Sequence, residues 1–236
     1  DADLRAVAVY LKSLPADAGA PVRPATPVVG KLPEAIYKTR GGLGYVQFCV
    51  DCHRLDGAGV ADIFPPMAGN PAILEADSAT LLHVILTGAR TAQTASHPRV
   101  LTIHGFSPLS DAEIAEIAGF VRTGWGDTKA APVTADDVKK MRASLSPKGN
   151  FAPGFDTPRL ADMLGRPNAE QLVRGMRLHL ETKALLPQNV GDELNCTSCH
   201  LNAGTVADGS PFVGVSAFFP SYAPRAGREI TIEDRI

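Results

Sequence analysis

Apolar residues recur at helical spacing in several separate stretches of this chain, and Gly- and Pro-rich segments divide them. At the amino end Leu4, Val7, Leu11 and Leu14 share one helical face, which predicts a helix that stops before Pro15. Leu81, Leu82, Ile85 and Leu86 predict a second over 78–88, with Asp77 or Ser78 able to cap it. Ser110 to Glu113 spell a capping box ahead of a stripe of Ile114, Ile117, Phe120 and Val121. A shorter helical piece over 134–145 starts at Thr134 or Asp136, and 169–182 carries apolar Leu172, Met176, Leu178 and Leu180. The run Gly41-Gly42-Leu43-Gly44 reads as a turn, and Gly57 and Gly59 as a loop. Residues 15–34, rich in Pro, Ala and Val, read as a semi-rigid linker, and 128–158 as a second connector. Strand-like alternation of useful length is missing, so the pattern predicts an all-α chain.

Composition narrows the picture. At 236 residues there is room for two domains, each of about 100 residues. A net charge of −2 gives no case for nucleic acid or an anionic membrane surface. Apolar runs fall short of the roughly 18 residues of a membrane span, so none is expected.

The cysteines carry the chemistry. All four lie in two copies of Cys-x-x-Cys-His: Cys49, Cys52 and His53, then Cys196, Cys199 and His200. This spacing attaches haem c: two thiols add to the porphyrin vinyl groups and the adjacent His becomes the proximal iron ligand. Four cysteines also suit a zinc site, but zinc does not explain a His after each pair. A disulfide within either pair closes almost no loop and gains little stability. Two haems c are expected here, with more in the full-length protein, and bacteria attach haem c outside the cytoplasm, so a periplasmic location is expected. Met141, Met163 and Met176 read as core packing, and His83 and His179 as helix-surface residues.

Residues 49–125 resemble a class I cytochrome c domain. The matching features are Cys49 to His53, Asp56-Gly57-Ala58-Gly59-Val60, Phe64-Pro65-Pro66-Met67-Ala68-Gly69-Asn70-Pro71, and Leu109 to Ile114 with the helix that follows. They are most similar to haem domains of cytochrome subunits that serve membrane-bound dehydrogenases. The resemblance implies that a carbonyl at Pro65 or Pro66 accepts a hydrogen bond from the proximal His. The family's usual methionine ligand before the final helix is replaced by Ile103. His104 beside it is the first candidate for the sixth ligand, His97 a second, and Met67 another, although its place beside Pro65-Pro66 suggests the proximal side.

The second motif has different surroundings. Leu160 to Gly165, Asn189 to Thr205, Pro211-Phe212, Phe219 to Tyr222, Arg225-Ala226-Gly227 and Ile232 to Ile236 resemble the amino-terminal haem domain of dihaem thiosulfate dehydrogenases. These enzymes couple two thiosulfates into tetrathionate. The resemblance implies that Arg235 binds substrate and acts in catalysis, with Arg225 and Arg228 as further cations. Cationic groups offset the repulsion between two dianions. The family's axial cysteine would fall a few residues beyond Ile236, so the chain read as a fragment lacks it.

The expected organisation is two class I-like haem domains joined by Pro/Ala-rich linkers. Residues 1–14 resemble the last helix of a preceding cytochrome c domain, 15–34 are a linker, and 35–127 form the electron-accepting domain. Residues 128–158 are a linker and 159–236 the start of a truncated catalytic haem domain. The expected function is thiosulfate oxidation to tetrathionate, possible in either direction, with electrons passed to a soluble or membrane-bound acceptor. The alternative is an electron-transfer cytochrome c subunit of a dehydrogenase complex, with no catalytic site of its own.

Overall fold

A computed structural model of the protein describes residues 2–13, 32–61, 63–91, 93, 100–126, 130–145, 158–206 and 209–235. Helix α1 (Ala2–Ser13) forms where the amino-terminal stripe predicts it, with Val7, Val9 and Tyr10 exposed. Leu14, His97 and most of the segment 15–34 lie outside the described residues.

The core is organised around α2 (Arg40–Phe48) and α6 (Asp111–Thr123). The glycines expected in a turn lie inside α2 instead. A Cβ at Gly41 would fall on the Glu116 carbonyl oxygen, and one at Gly44 would sit 2.6 Å from Ile117 Cγ1. The missing side chains let the two helices pack almost backbone to backbone. That contact outweighs a helix-propensity cost of about 1 kcal/mol per glycine. Thr39 starts α2 by accepting the Gly42 N–H at 3.0 Å.

Helix α6 begins as its sequence predicts. The Ser110 hydroxyl accepts the Glu113 N–H at 3.3 Å, and Glu113 Oε2 accepts the Ser110 N–H at 2.8 Å. Ile114, Ile117, Phe120 and Val121 form its buried face. Phe120 and Trp125 close an aromatic cluster with Tyr45, whose ring lies 5.4 and 5.1 Å from theirs. Helix α5 (Ala79–Thr87) buries Leu81, Leu82 and Leu86. Asp77 Oδ1 accepts the Ala79 N–H at 2.8 Å, whereas Ser78 makes no side-chain cap. Helix α7 (Ala135–Ser144) opens with a Thr134–Asp137 capping box and buries Val138. Arg142 returns it to the start of α6, bonding Asp111 at 2.6 Å, the Ser107 carbonyl at 2.7 Å and the Leu109 carbonyl. Two short helices, α3 (Val50–His53) and α4 (Pro71–Leu74), flank the strap between them.

The all-α expectation needs one correction. Among the described residues the chain is rich in helix but also holds two antiparallel ribbons. In the first, β1 (Gly88–Arg90) pairs with β2 (Thr102–His104), setting Ala89 opposite Ile103. In the second, β3 (Ser221–Ala223) pairs with β4 (Arg228–Ile230). Three-residue strands are too short for a two-residue period to register in the sequence.

The carboxyl-terminal segment packs on the same core. A 3-10 turn (Leu160–Gly165) leads to α8 (Ala169–Leu180) and α9 (Thr182–Leu185). Ala161, Met176 and Leu180 join the apolar cluster that contains Leu43 and Ile114. Among the described residues, no helix is long and apolar enough to cross a membrane.

The packing of α2 on α6 separates two glycine substitutions. Gly41→Ala should destabilise the protein by about 1–3 kcal/mol, because its Cβ meets helix backbone. Nothing lies within 4 Å of a Cβ at Gly119. Gly119→Ala should therefore stabilise by about 0.5–1 kcal/mol. Urea denaturation of the two variants checks both signs.

Candidate functional site

The first Cys-x-x-Cys-His motif begins where α2 ends. Cys49 leaves helical geometry, with φ −127° and ψ −25°, and α3 starts at the next residue. The His53 N–H donates to the Cys49 carbonyl at 2.9 Å, which closes the motif into one turn with both thiols on it. No disulfide joins the cysteines of either pair. Burial pushes the Cys49 thiol up to about 12, with Cys52 adding in the same direction. Burial also raises Cys52.

His53 is only 5% exposed, and its Nδ1 lies 2.9 Å from the Pro65 carbonyl oxygen. A carbonyl only accepts, so Nδ1 carries the proton and Nε2 keeps its lone pair. Burial lowers the His53 pKa, and the Pro65 contact opposes that shift. The result is an imidazole of fixed tautomer, ready to bind a metal through Nε2. Phe64 stands edge-on to it with ring centroids 6.2 Å apart.

The Pro65 carbonyl is itself held in place. Met67 and Ala68 donate their N–H groups to the Gly57 carbonyl at 2.7 and 3.1 Å. Val60 and Phe64 bond each other in both directions at 2.9 and 2.8 Å. Gly59, at φ +66°, lies so close that a Cβ would come within 2.7 Å of the Pro65 oxygen. Pro66, the other expected acceptor, instead takes Asn70 Nδ2 at 2.8 Å.

The second motif builds the same device from other parts. Cys196 to Ser198 form a 3-10 turn, and the His200 N–H donates to the Cys196 carbonyl at 3.0 Å. His200 Nδ1 lies 2.6 Å from the Ser210 carbonyl, which again assigns the proton to Nδ1. Phe212 stacks on the His200 ring at 4.1 Å. Thr182 anchors the turn, its hydroxyl accepting the Cys196 N–H at 3.1 Å.

These residues fit covalent haem. Each motif offers two thiols one turn apart and a neighbouring His whose Nδ1 is tied to a backbone carbonyl, which leaves Nε2 as the position for a metal. Partly buried Phe48, Leu55, Met67 and Phe106 add apolar surface around the first. A shared zinc site does not fit, because among the described residues no group of three or more His, Cys, Asp or Glu side chains converges.

The remaining candidates are placed unequally. His104 is exposed at the end of β2, its ring 5.0 Å from Phe106, which in turn lies 5.8 Å from Phe48 beside Cys49. Met67 sits two residues beyond Pro65, on the strap that holds His53. Arg225 lies in the β3–β4 turn and Arg235 near the carboxyl end, both exposed. Arg228 pairs with Asp234 at 3.0 Å and holds that carboxyl down to about 2.

Sequence reasoning misses the polar groups that join the two motif regions. Gln47 is 1% exposed, and its Nε2 donates to the Pro158 carbonyl at 2.9 Å while its Oε1 accepts the Leu160 N–H at 2.9 Å. Asp51, between the first two cysteines, accepts the Asn202 N–H at 2.9 Å. A polar residue on the buried face of α2, one turn from Leu43, is the signal that marks Gln47.

The cytochrome c family profile matches residues 39–125. The cytochrome c subunit of alcohol dehydrogenase (quinone) from Gluconobacter oxydans is 37% identical over 153 residues, covering 62% of this chain and 31% of that protein. Cytochrome c-552 of Thermus thermophilus is 33% identical over 123 residues, covering 48% of this chain and 82% of that protein. Thiosulfate dehydrogenase of Allochromatium vinosum is 48% identical over 71 residues, covering 28% of this chain and 26% of that protein. The chain spans about a third of the length of the quinone alcohol dehydrogenase subunits it matches.

The close fit of Gly59 against the strap predicts a sensitive position. Gly59→Ala should destabilise the protein by about 1–3 kcal/mol, since it combines a positive φ with a backbone clash. It should also loosen the Pro65 carbonyl, so the His53 Nδ1 proton exchanges faster with solvent. Denaturation and proton NMR of the variant read the two effects.

Proposed function

The chain belongs to the cytochrome c family, and on that premise we propose that it is an electron-transfer cytochrome with two haems c serving a dehydrogenase. The observation that carries this reading is the imidazole device: in both motifs His Nδ1 is tied to a backbone carbonyl. Cys49, Cys52 and His53 would hold one haem, and Cys196, Cys199 and His200 the other. When bound, each haem supplies a one-electron redox centre.

The protein's part is to orient and insulate. Pro65 and Ser210 keep the proton on Nδ1, which fixes the tautomer and strengthens Nε2 as a donor. The Gly57–Gly59 loop holds the Pro65 strap, and burial shields His53 from water. A haem held at Cys49 and Cys52 would take His104, or else Met67, as its further ligand; Met67 shares the strap that carries Pro65. His ligation lowers a haem's potential relative to Met ligation. Relatives that are cytochrome c subunits of alcohol and gluconate dehydrogenases support service to a dehydrogenase. Covalent haem attachment supports a periplasmic location, with a soluble or membrane-bound protein as final acceptor.

A second reading concerns the substrate. The match to a thiosulfate dehydrogenase is short but is the higher in identity, at 48%. On this reading the carboxyl-terminal segment opens an enzyme that joins thiosulfate into tetrathionate, and Arg235 and Arg225 attract the anion.

Pyridine haemochrome absorbance of the purified chain should count two haems. Cys49→Ala/Cys52→Ala and Cys196→Ala/Cys199→Ala should each lose half of that absorbance. A count of one or none in the intact chain would defeat the two-haem reading. Stopped-flow mixing of the oxidised full-length protein with thiosulfate separates the two functions. Haem reduction with tetrathionate formed supports the enzyme, whereas haems reduced by dithionite but not by thiosulfate support the carrier alone.

A further inference from the structure

The two Cys-x-x-Cys-His motifs lie against each other. Val50 and Asp51, between the first pair of cysteines, and Thr197 and Ser198, between the second pair, line one cleft of about 550 Å³. The Asp51 carboxylate accepts the N–H of Asn202, two residues beyond His200. That bond runs from the inside of one motif to the exit of the other.

Gln47 grips the same seam from the other side of Cys49. Its amide bonds the Pro158 carbonyl and the Leu160 N–H, and Nε2 also reaches Thr205 Oγ1 at 3.5 Å. Thr205 in turn donates its hydroxyl to the Asn202 carbonyl at 2.7 Å. The turn Leu201–Gly204 is thus held at both ends by the first unit, with Asn202 and Ala203 at φ 50° and 56°. Left-handed residues of this kind persist only where their surroundings over-determine them. Farther out, Tyr37 donates to Glu181 at 2.8 Å, Arg40 pairs with Asp162 at 3.1 Å, and Arg159 pairs with Glu113 at 2.6 Å. The exposed Arg40–Asp162 pair adds little stability. The Gln47 amide counts for more, because a buried amide left without partners is costly.

We propose that Gln47 and Asp51 are positioning residues that hold the two motifs as a fixed pair, so that electrons pass directly between the haems attached at Cys49/Cys52 and Cys196/Cys199. The proposal rests on the two-haem reading and adds the route. The step moves one electron: one iron goes from ferrous to ferric, the other from ferric to ferrous, and no bond forms or breaks. A flexible tether alone raises the effective concentration of a partner but leaves its orientation free. A docked seam sets distance and orientation together, and here the residues between the attachment cysteines of both motifs face one cleft.

The experiment uses the full chain with its haems. Haemochrome absorbance first counts haems, then flash photoreduction follows redistribution of electrons within the chain. The intact protein should show a concentration-independent phase that is absent from Cys196→Ala/Cys199→Ala. Gln47→Leu/Asp51→Ala should slow that phase at least about tenfold, as the motifs come apart. Asp51→Asn, which keeps an acceptor oxygen for the Asn202 N–H, should stay near the intact rate. An unchanged rate in a two-haem double variant overturns the positioning role. Fewer than two haems in the intact chain overturns the two-haem reading and the proposal with it. Hydrogen exchange of the unmodified protein decides independently of whether the variant folds. The Asn202 and Leu160 amides should be protected at least about hundredfold, and exchange at unprotected rates overturns the docked pair.

Discussion

Helix α2 lies against α6 with almost no side chain between them, and the first motif takes its position from that contact. Cys49 follows α2 directly, so the closeness fixed by Gly41 and Gly44 sets where the thiols and His53 stand. The adjoining face of α2 presents Gln47 to the carboxyl-terminal segment. One helix therefore sets the core, the start of the motif and the seam with the second motif. Close packing transmits displacement, because a packed interior has little room to relax. Whatever moves α2 would disturb all three.

Polar groups finish what the apolar contacts begin. Gln47 and Arg122 are buried, and each ends on backbone groups: Gln47 on Pro158 and Leu160, Arg122 on the Glu75 carbonyl at 2.5 Å. Apolar packing is non-directional, whereas a hydrogen bond weakens steeply with misalignment. These side chains therefore specify register more than they add stability. Gln47 fixes which part of the connector meets α2, and Arg122 fixes the end of α4 against α6. The exposed Arg40–Asp162 pair carries less information, since water can replace either partner.

The helices with local signals are legible in the sequence. Ser110 and Glu113 mark the start of α6, Thr134 and Asp137 that of α7, and the apolar stripes give their buried faces. The glycine run in α2 is not legible, because local propensity favours a turn and only contact with Glu116 and Ile117 makes it a helix. Both Cys-x-x-Cys-His motifs are legible because their residues are contiguous in sequence. The Pro65 carbonyl is foreseen as one of two neighbours, and the glycine loop decides between them. Ser210 is not foreseen at all: it lies ten residues beyond His200, at φ 53°, in a turn that no local pattern encodes. Gln47 stands out as a polar residue on a buried face, but its partners lie more than a hundred residues away in sequence.

The two histidines show which feature is required and which is incidental. Their surroundings share little: His53 is buried beside an edge-on Phe64, and His200 is half-buried beneath a stacked Phe212. Their acceptors differ too, a proline carbonyl twelve residues on in one and a serine carbonyl ten residues on in the other. What recurs is a carbonyl on Nδ1. A side-chain acceptor could rotate away or titrate, whereas a backbone carbonyl does neither, so it fixes the tautomer at every pH where the imidazole is neutral. Two dissimilar stretches of chain arriving at the same bond indicates that the bond, rather than the local fold, is what an imidazole bound through Nε2 needs.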